Sequence, residues 1–191
     1  KINNKKDEYL IYSDEITYLK NNEIIITNGN SKAVDQDVEI DARNFEYNKL
    51  KNIIYAEGDV KINNKKDEYL IYSDEITYNK FQGKIFTKNN SKAISDSIVI
   101  DADIFKYDER NNILIAEGNV KLDDKIDDYK LETEHLTYNK KNNKIFTKGK
   151  TYALIENKYE FRSKNVFLNR NKKEFKSNNY STIKDDDANF Y

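Results

Sequence analysis

The chain has 191 residues, with 33 Lys plus Arg against 34 Asp plus Glu for a formal charge of -1, and it contains neither Cys nor Pro. Near-neutrality argues against nucleic acid as the main partner, which demands concentrated positive charge. The absence of Cys excludes disulfides, thiolate metal sites and cysteine nucleophiles.

Charged residues make up 35% of the chain and apolar residues 37%, a balance that alone would suggest disorder. Fifteen Tyr, nine Phe and abundant Ile argue otherwise. The polar excess implies a large surface around a modest core. No run of 18 apolar residues exists to cross a membrane as a helix.

Taken in order, the chain opens on KINNKKDEYLIYSDEITY, Lys1–Tyr18, which recurs unchanged at Lys61–Tyr78. Eighteen of the next forty-two positions also match at an offset of sixty. A third copy starts at Lys121, so the sequence reads as one continuous repeat domain over 1–177, in units 1–60, 61–120 and 121–177. Residues 178–191 read as an irregular tail or the start of a following segment. Gly29, Gly58, Asn89, Gly118 and Gly149 are spaced 29, 31, 29 and 31 apart. A half-unit of about thirty residues is therefore the module, within the range of repeat architectures.

Each half-unit has a hydrophobic period of two, with no helical spacing, which predicts strands. Tyr69, Ile71 and Ser73 share one face; the parity then slips, and Ile76 and Tyr78 follow. Ile98, Ile100 and Ala102 precede Phe105 and Tyr107 in the same way, as Tyr129, Leu131 and Thr133 precede Leu136 and Tyr138. A one-residue slip reverses the faces of a strand, so a bulge or tight corner is expected at Ser73-Asp74-Glu75 and its equivalents. Polar connections such as Asn79–Lys84 read as hairpins, and the short runs Ile85–Thr87 and Ile145–Thr147 as return strands. No half-unit can bury its apolar face alone, whereas stacked copies can.

The motif A-E-G-[DN]-V-K at Ala56–Lys61 and Ala116–Lys121 is followed by an alternating strand, cleanest at Ile98–Tyr107. In this combination the chain resembles the OstA-type β-jellyroll repeat of lipopolysaccharide-transport proteins. The likeness runs from about Tyr9 to Ser177. It implies an all-β fold of antiparallel strands forming a V-shaped, elongated β-jellyroll. The function it implies is that of a non-enzymatic periplasmic scaffold, conducting lipopolysaccharide toward the outer membrane of a Gram-negative bacterium through an apolar groove. The implied partners are lipopolysaccharide, other β-jellyroll modules joined by β-strand augmentation, and a following outer-membrane β-barrel. Both chain ends look cut from a longer protein, which favours the N-terminal region of an LptD-type member over a complete LptA-type one.

Under this resemblance the lipid groove is lined by Ile71, Ile76, Ile85, Ile100, Phe105, Ile115, Leu131, Leu136 and Ile145. Tyr78, Tyr107 and Tyr138 stand at the groove mouth or cap the core. For a β protein without this resemblance, the same residues would more simply form a sealed core. A structural or adhesive β-solenoid with such a core is the alternative reading.

Little suggests chemistry. His135 is the sole histidine and has no recurring partners, so it reads as a solvated corner residue. The Asp101/Asp103, Asp123/Asp124 and Asp185–Asp187 groups lack the loop pattern of a calcium site. No nucleophile elbow or phosphate-binding glycine loop occurs. No catalytic residue, metal or cofactor is expected.

Overall fold

In the computed structural model, which describes residues 1–4 and 9–185, every regular element is a strand apart from two single-turn 3-10 helices, Lys140–Asn142 and Arg170–Lys172. The chain forms two compact units, Lys1–Asp96 and Ser97–Tyr191. The boundaries expected at 60 and 120 fall inside continuous strands instead. The sixty-residue repeat is thus a unit of sequence, while the strands run through its ends.

The first unit contains β1 (Ile2–Asn4), β2 (Tyr9–Tyr12), β3 (Glu15–Leu19), β4 (Ile24–Asn28), β5 (Ser31–Val34) and β6 (Val38–Ala42). It continues with β7 (Asn44–Asn48), β8 (Ile53–Asn64), β9 (Tyr69–Asn79), β10 (Lys84–Lys88) and β11 (Ser91–Ser95). Neighbouring strands run antiparallel. One layer runs β3-β4-β7-β8-β9-β10. The other runs β1-β2-β5-β6-β8-β9-β11. The long strands β8 and β9 belong to both, and their register breaks between Glu57 and Val60, where one layer gives way to the other.

The second unit contains β12 (Ile98–Ala102), β13 (Ile104–Asp108), β14 (Ile113–Asp124), β15 (Tyr129–Asn139) and β16 (Lys144–Ile155). After these come β17 (Tyr159–Lys164), β18 (Phe167–Asn169), β19 (Glu174–Lys176) and β20 (Thr182–Lys184). Its layers, also antiparallel, run β13-β14-β15-β16-β18-β19 and β12-β14-β15-β16-β17-β20. The segment after 177, expected to be an irregular tail or the start of a following segment, supplies a strand at Thr182–Lys184. Its Ile183 lies opposite Phe161 and packs on the cluster of Ala153, Phe161 and Val166. Residues 186–191 of that tail, with two of the three aspartates noted there, lie outside the described residues.

The parity slip is a corner. In β9 the buried set Tyr69, Ile71, Ser73 changes to Ile76, Tyr78, and the backbone N–H of the skipped Asp74 donates to the carbonyl of Asn89 at 3.3 Å. The same bond joins Asp14 to Gly29, Arg43 to Gly58, Asp103 to Gly118 and Asn165 to Gly149, at 2.9–3.0 Å. The five evenly spaced positions are thus corner residues, all with φ between 62 and 89°. Left-handed backbone is open to Gly and tolerated by Asn.

Around each corner the inward positions alternate in chemistry. Ala56 and Val60, like Ala116 and Val120, are buried beside their glycine and fill the vertex with methyl groups, which accounts for the A-E-G-x-V motif. At the intervening corners hydroxyls replace them. Ser73 Oγ donates within reach of the carbonyls of Lys88 and Asn89, and Thr87 Oγ1 meets Ser91 Oγ at 2.5 Å. Thr133 Oγ1 donates to the Lys150 carbonyl, and Thr147 Oγ1 meets Thr151 Oγ1 at 2.6 Å. These hydroxyls satisfy backbone carbonyls where the strand ladders part, which a buried sheet corner requires.

A Cβ added to Gly58 would lie 2.8 Å from Arg43 Cβ, whereas one added to Gly149 meets nothing within 4 Å. Both glycines have strongly positive φ. Gly149→Ala is expected to cost about 1–2 kcal/mol from backbone strain alone. Gly58→Ala adds a steric conflict with an atom fixed by the main chain, roughly 1–3 kcal/mol more. Urea melts of the two variants check the order.

Candidate functional site

The inward faces of the layers are apolar. Ile71, Ile76 and Ile85 in the first unit, and Ile100, Phe105, Leu131, Leu136 and Ile145 in the second, are buried to 2% exposure or less. Eight of the nine expected lining residues therefore face inward, packed between layers rather than along an open channel. Ile115 does not. It is half-buried on the outer face, opposite Lys106 and Thr137, while Leu114 and Ala116 take the inward positions of β14. The run Ile113-Leu114-Ile115-Ala116 is apolar at every position, so it carries no alternation from which to read its phase.

Tyr78, Tyr107 and Tyr138 are buried at the strand ends farthest from the corner. The Tyr138 hydroxyl donates to Asn143 Oδ1 at 3.2 Å, as that of Tyr47 does to Asn52 Oδ1 at 2.9 Å. In Tyr47 and Tyr138 the ring closes the interior while the hydroxyl holds the next hairpin turn, the usual division of labour in a buried tyrosine.

Opposite the corners the layers separate, and charged turns meet across the gap. In the first unit Lys80, in the turn after β9, reaches Asp35, in the turn after β5 of the other layer, with Nζ 2.5 Å from Oδ2. Asp35 Oδ1 also accepts from the backbone of Val38 at 2.7 Å and of Asp37 at 3.0 Å. Burial pushes the Asp35 carboxyl up, but Lys80 and these N–H groups outweigh it and hold it below its usual range. Beneath the pair lies a crevice with about 20 Å3 of free volume, between Tyr9, Ile11 and Ile40 of one layer and Phe45, Ile54 and Tyr78 of the other.

The second unit carries a stronger version. Arg170, in the turn after β18, donates from Nε and Nη2 to Asp124 Oδ2 at 2.8 and 2.7 Å. Asp124 ends β14 in the opposite layer, and its side chain is fully buried. The other guanidinium nitrogen, Nη1, donates to Tyr138 Oη and Asn143 Oδ1 on Arg170's own layer. Asp124 Oδ1 accepts from the backbone of Ile126 and Asp127 and from Ser97 Oγ. Burial again raises the carboxyl, and the Asp127 N–H and Arg170 bring it below the ordinary value.

Of these rim groups the sequence singles out only Asp124, through the Asp123/Asp124 pair, and gives no sign of which group it meets. For the basic groups a signal exists: Lys49, Lys80, Lys140 and Arg170 recur two residues beyond the last buried position of their strands. Glu109 interrupts the series. The remaining titratable candidates have structural roles. His135 sits at a corner with Nδ1 3.8 Å from Glu117 Oε1. Asp103 accepts from Asn119 at its corner, and Asp123 pairs with Lys125. Among the described residues no group of three or more His, Cys, Asp or Glu could hold a metal ion.

Two antiparallel layers hinged at hydrogen-bonded corners, apolar inside and ion-paired along the rim, define a β-jellyroll scaffold. The sequence profile of the lipopolysaccharide-assembly, LptC-related family matches residues 5–121, more than half of the chain, and the chain belongs to that family. Its members are non-enzymatic scaffolds of periplasmic lipopolysaccharide transport.

Among 18 solved chains that match in structure is LptH of Pseudomonas aeruginosa, described as the LptA-homologous periplasmic component of the lipopolysaccharide transport device. It is 15% identical, covers 59% of this chain and 83% of its own, and superposes with a TM-score of 0.55. That likeness concerns the fold. No curated protein sequence matches closely enough to count as a relative. Neither match singles out the LptD-type region that the chain ends favoured.

Proposed function

We propose that each unit takes the acyl chains of lipopolysaccharide between its two layers, and that the molecule passes the lipid to neighbouring β-jellyroll modules joined edge to edge by strand augmentation. The observation that carries this reading is the interior itself. The layers meet through apolar side chains, are hydrogen-bonded together at the corners, and on the far side are crossed by ion pairs such as Lys80–Asp35. Hinged layers can part without breaking a strand ladder. Chain burial at about 25 cal/mol per Å2 supplies several kcal/mol over a few hundred Å2, enough to replace the side-chain contacts that parting loses.

Destination at the outer membrane, and a following β-barrel as a further partner, belong to the same reading. The reading frame beyond residue 191 tests the barrel. The β-solenoid alternative requires parallel coils, and the antiparallel ladders of both units disfavour it.

Photo-crosslinking amino acids at Ile71, Phe105 and Leu131 are expected to capture lipopolysaccharide in cells, while one at the outward Lys106 is not. Equal capture at Lys106 overturns the groove assignment.

A further inference from the structure

The Arg170–Asp124 pair is built asymmetrically. Nη1 fastens Arg170 to Tyr138 and Asn143 on its own layer, whereas the Nε–Nη2 edge is turned across the gap, toward Asp124 and, at 3.3 Å, Ser97. That edge is the planar fork with which guanidinium binds a carboxylate or phosphate through two parallel bonds. Asp124 does not depend on it alone, since its Oδ1 already accepts three hydrogen bonds.

Beside them is a group left over. Tyr129 is 4% exposed, and its hydroxyl faces Asp124 and Arg170 without a hydrogen bond of normal geometry to either. An unsatisfied buried hydroxyl costs on the order of 1–3 kcal/mol. The Tyr129 ring packs edge-on against Phe175, which in turn meets Phe161, with centroids 5.5 and 6.0 Å apart. A forked cation therefore stands at the threshold of an aromatic interior, next to an unused donor. The other charges nearby are Asp127, 3.9 Å from Arg170 Nε, and Lys173, which pairs with Asp127 at 3.1 Å.

Resting on the reading of the interior as an acyl-chain site, we infer that Arg170 is an anion-recognition residue for amphiphiles carrying a phosphate or carboxylate headgroup. The headgroup takes the Nε–Nη2 edge from Asp124, the chain enters beside Phe175, and Asp124 Oδ2 accepts the hydroxyl of Tyr129. The pair thus holds the mouth shut without ligand and selects for a charged headgroup when it opens. Hydrogen bonds between charged groups are lost and regained in equal number, and Tyr129 gains one.

The test compares radiolabelled 1-myristoyl lysophosphatidate with neutral 1-monomyristin by equilibrium dialysis of the whole chain below the micellar range. Wild type is expected to prefer the phosphate on the order of tenfold. Arg170→Gln should abolish the preference while keeping monomyristin binding. Asp124→Asn, which weakens Arg170's competing partner, should tighten lysophosphatidate binding. A merely structural ion pair predicts that both variants weaken both ligands alike, and that outcome overturns the inference. Displacement of lysophosphatidate by an equal concentration of inorganic phosphate also overturns it, marking a site for free anions. Equal affinity of wild type for both amphiphiles sinks the headgroup site and leaves the acyl-chain reading standing. Binding of neither sinks both.

Discussion

Phe105→Ala is expected to lower the stability of the second unit by about 3–5 kcal/mol. Phe105 has no exposed surface. It lies on the inner face of β13 opposite Ala116, whose methyl group is also fully buried at the vertex. Removing the ring leaves a void beside the smallest side chains of the corner. The strands around it cannot collapse to fill that void, because Gly118 and the Asp103–Gly118 bond fix the backbone. At roughly 2–4 °C per kcal/mol for a chain of this size, the melting temperature should fall on the order of 10 °C. Phe86, 43% exposed on the outer face of β10, supplies the control, since Phe86→Ala removes half-solvated surface and should cost about 1 kcal/mol or less. Similar shifts for the two would mean that the interior is not packed as described.

The second large effect belongs to Asp124 and Arg170. Arg170→Ala leaves a fully buried carboxylate facing an empty position, and breaking such a pair typically costs about 3–5 kcal/mol. Its exposed counterpart, Arg162 with Glu160, has side chains 63% and 42% exposed, so its loss should cost less than about 1 kcal/mol. The pair also sets a pH dependence. Burial raises the Asp124 carboxyl, but hydrogen bonds from the Asp127 N–H and Arg170 hold it below the unfolded value. A depressed carboxyl contributes stability that is complete above the unfolded pKa of about 3.9 and is lost as pH falls through the lower folded value. Asp35, held down by Lys80, acts in the same direction. Melting temperature should therefore drop steeply below about pH 4, and less steeply in Asp124→Asn. Parallel curves for the variant and wild type would show that Asp124 does not contribute.

The effects sit in different layers of information. The alternation of Tyr69, Ile71 and Ser73 with Ile76 and Tyr78 requires strands and a change of face, because side-chain direction in a strand has a period of two. The spacing of Gly29, Gly58, Asn89, Gly118 and Gly149 marks the corners, because few residues accept left-handed backbone. Together these made the all-β repeat and eight of the nine inward residues legible. Ile115 escaped, since a run apolar at every position has no phase. The strand at Thr182–Lys184 escaped too, because a single Ile between polar residues acquires meaning only when Phe161 lies across from it.

The rim was beyond reach for a different reason. Arg170 and Asp124 are 46 residues apart, and Lys80 and Asp35 are 45. The recurring basic position marks Lys80 and Arg170, but nothing local says which of the many carboxylates in a sequence that is 35% charged each will meet. Local pattern determined the strands, their faces and their corners, because each depends on neighbouring residues and on backbone sterics. Only the tertiary structure decided which charges meet across the open side, because that depends on how far each hairpin turn projects once the layers are folded together.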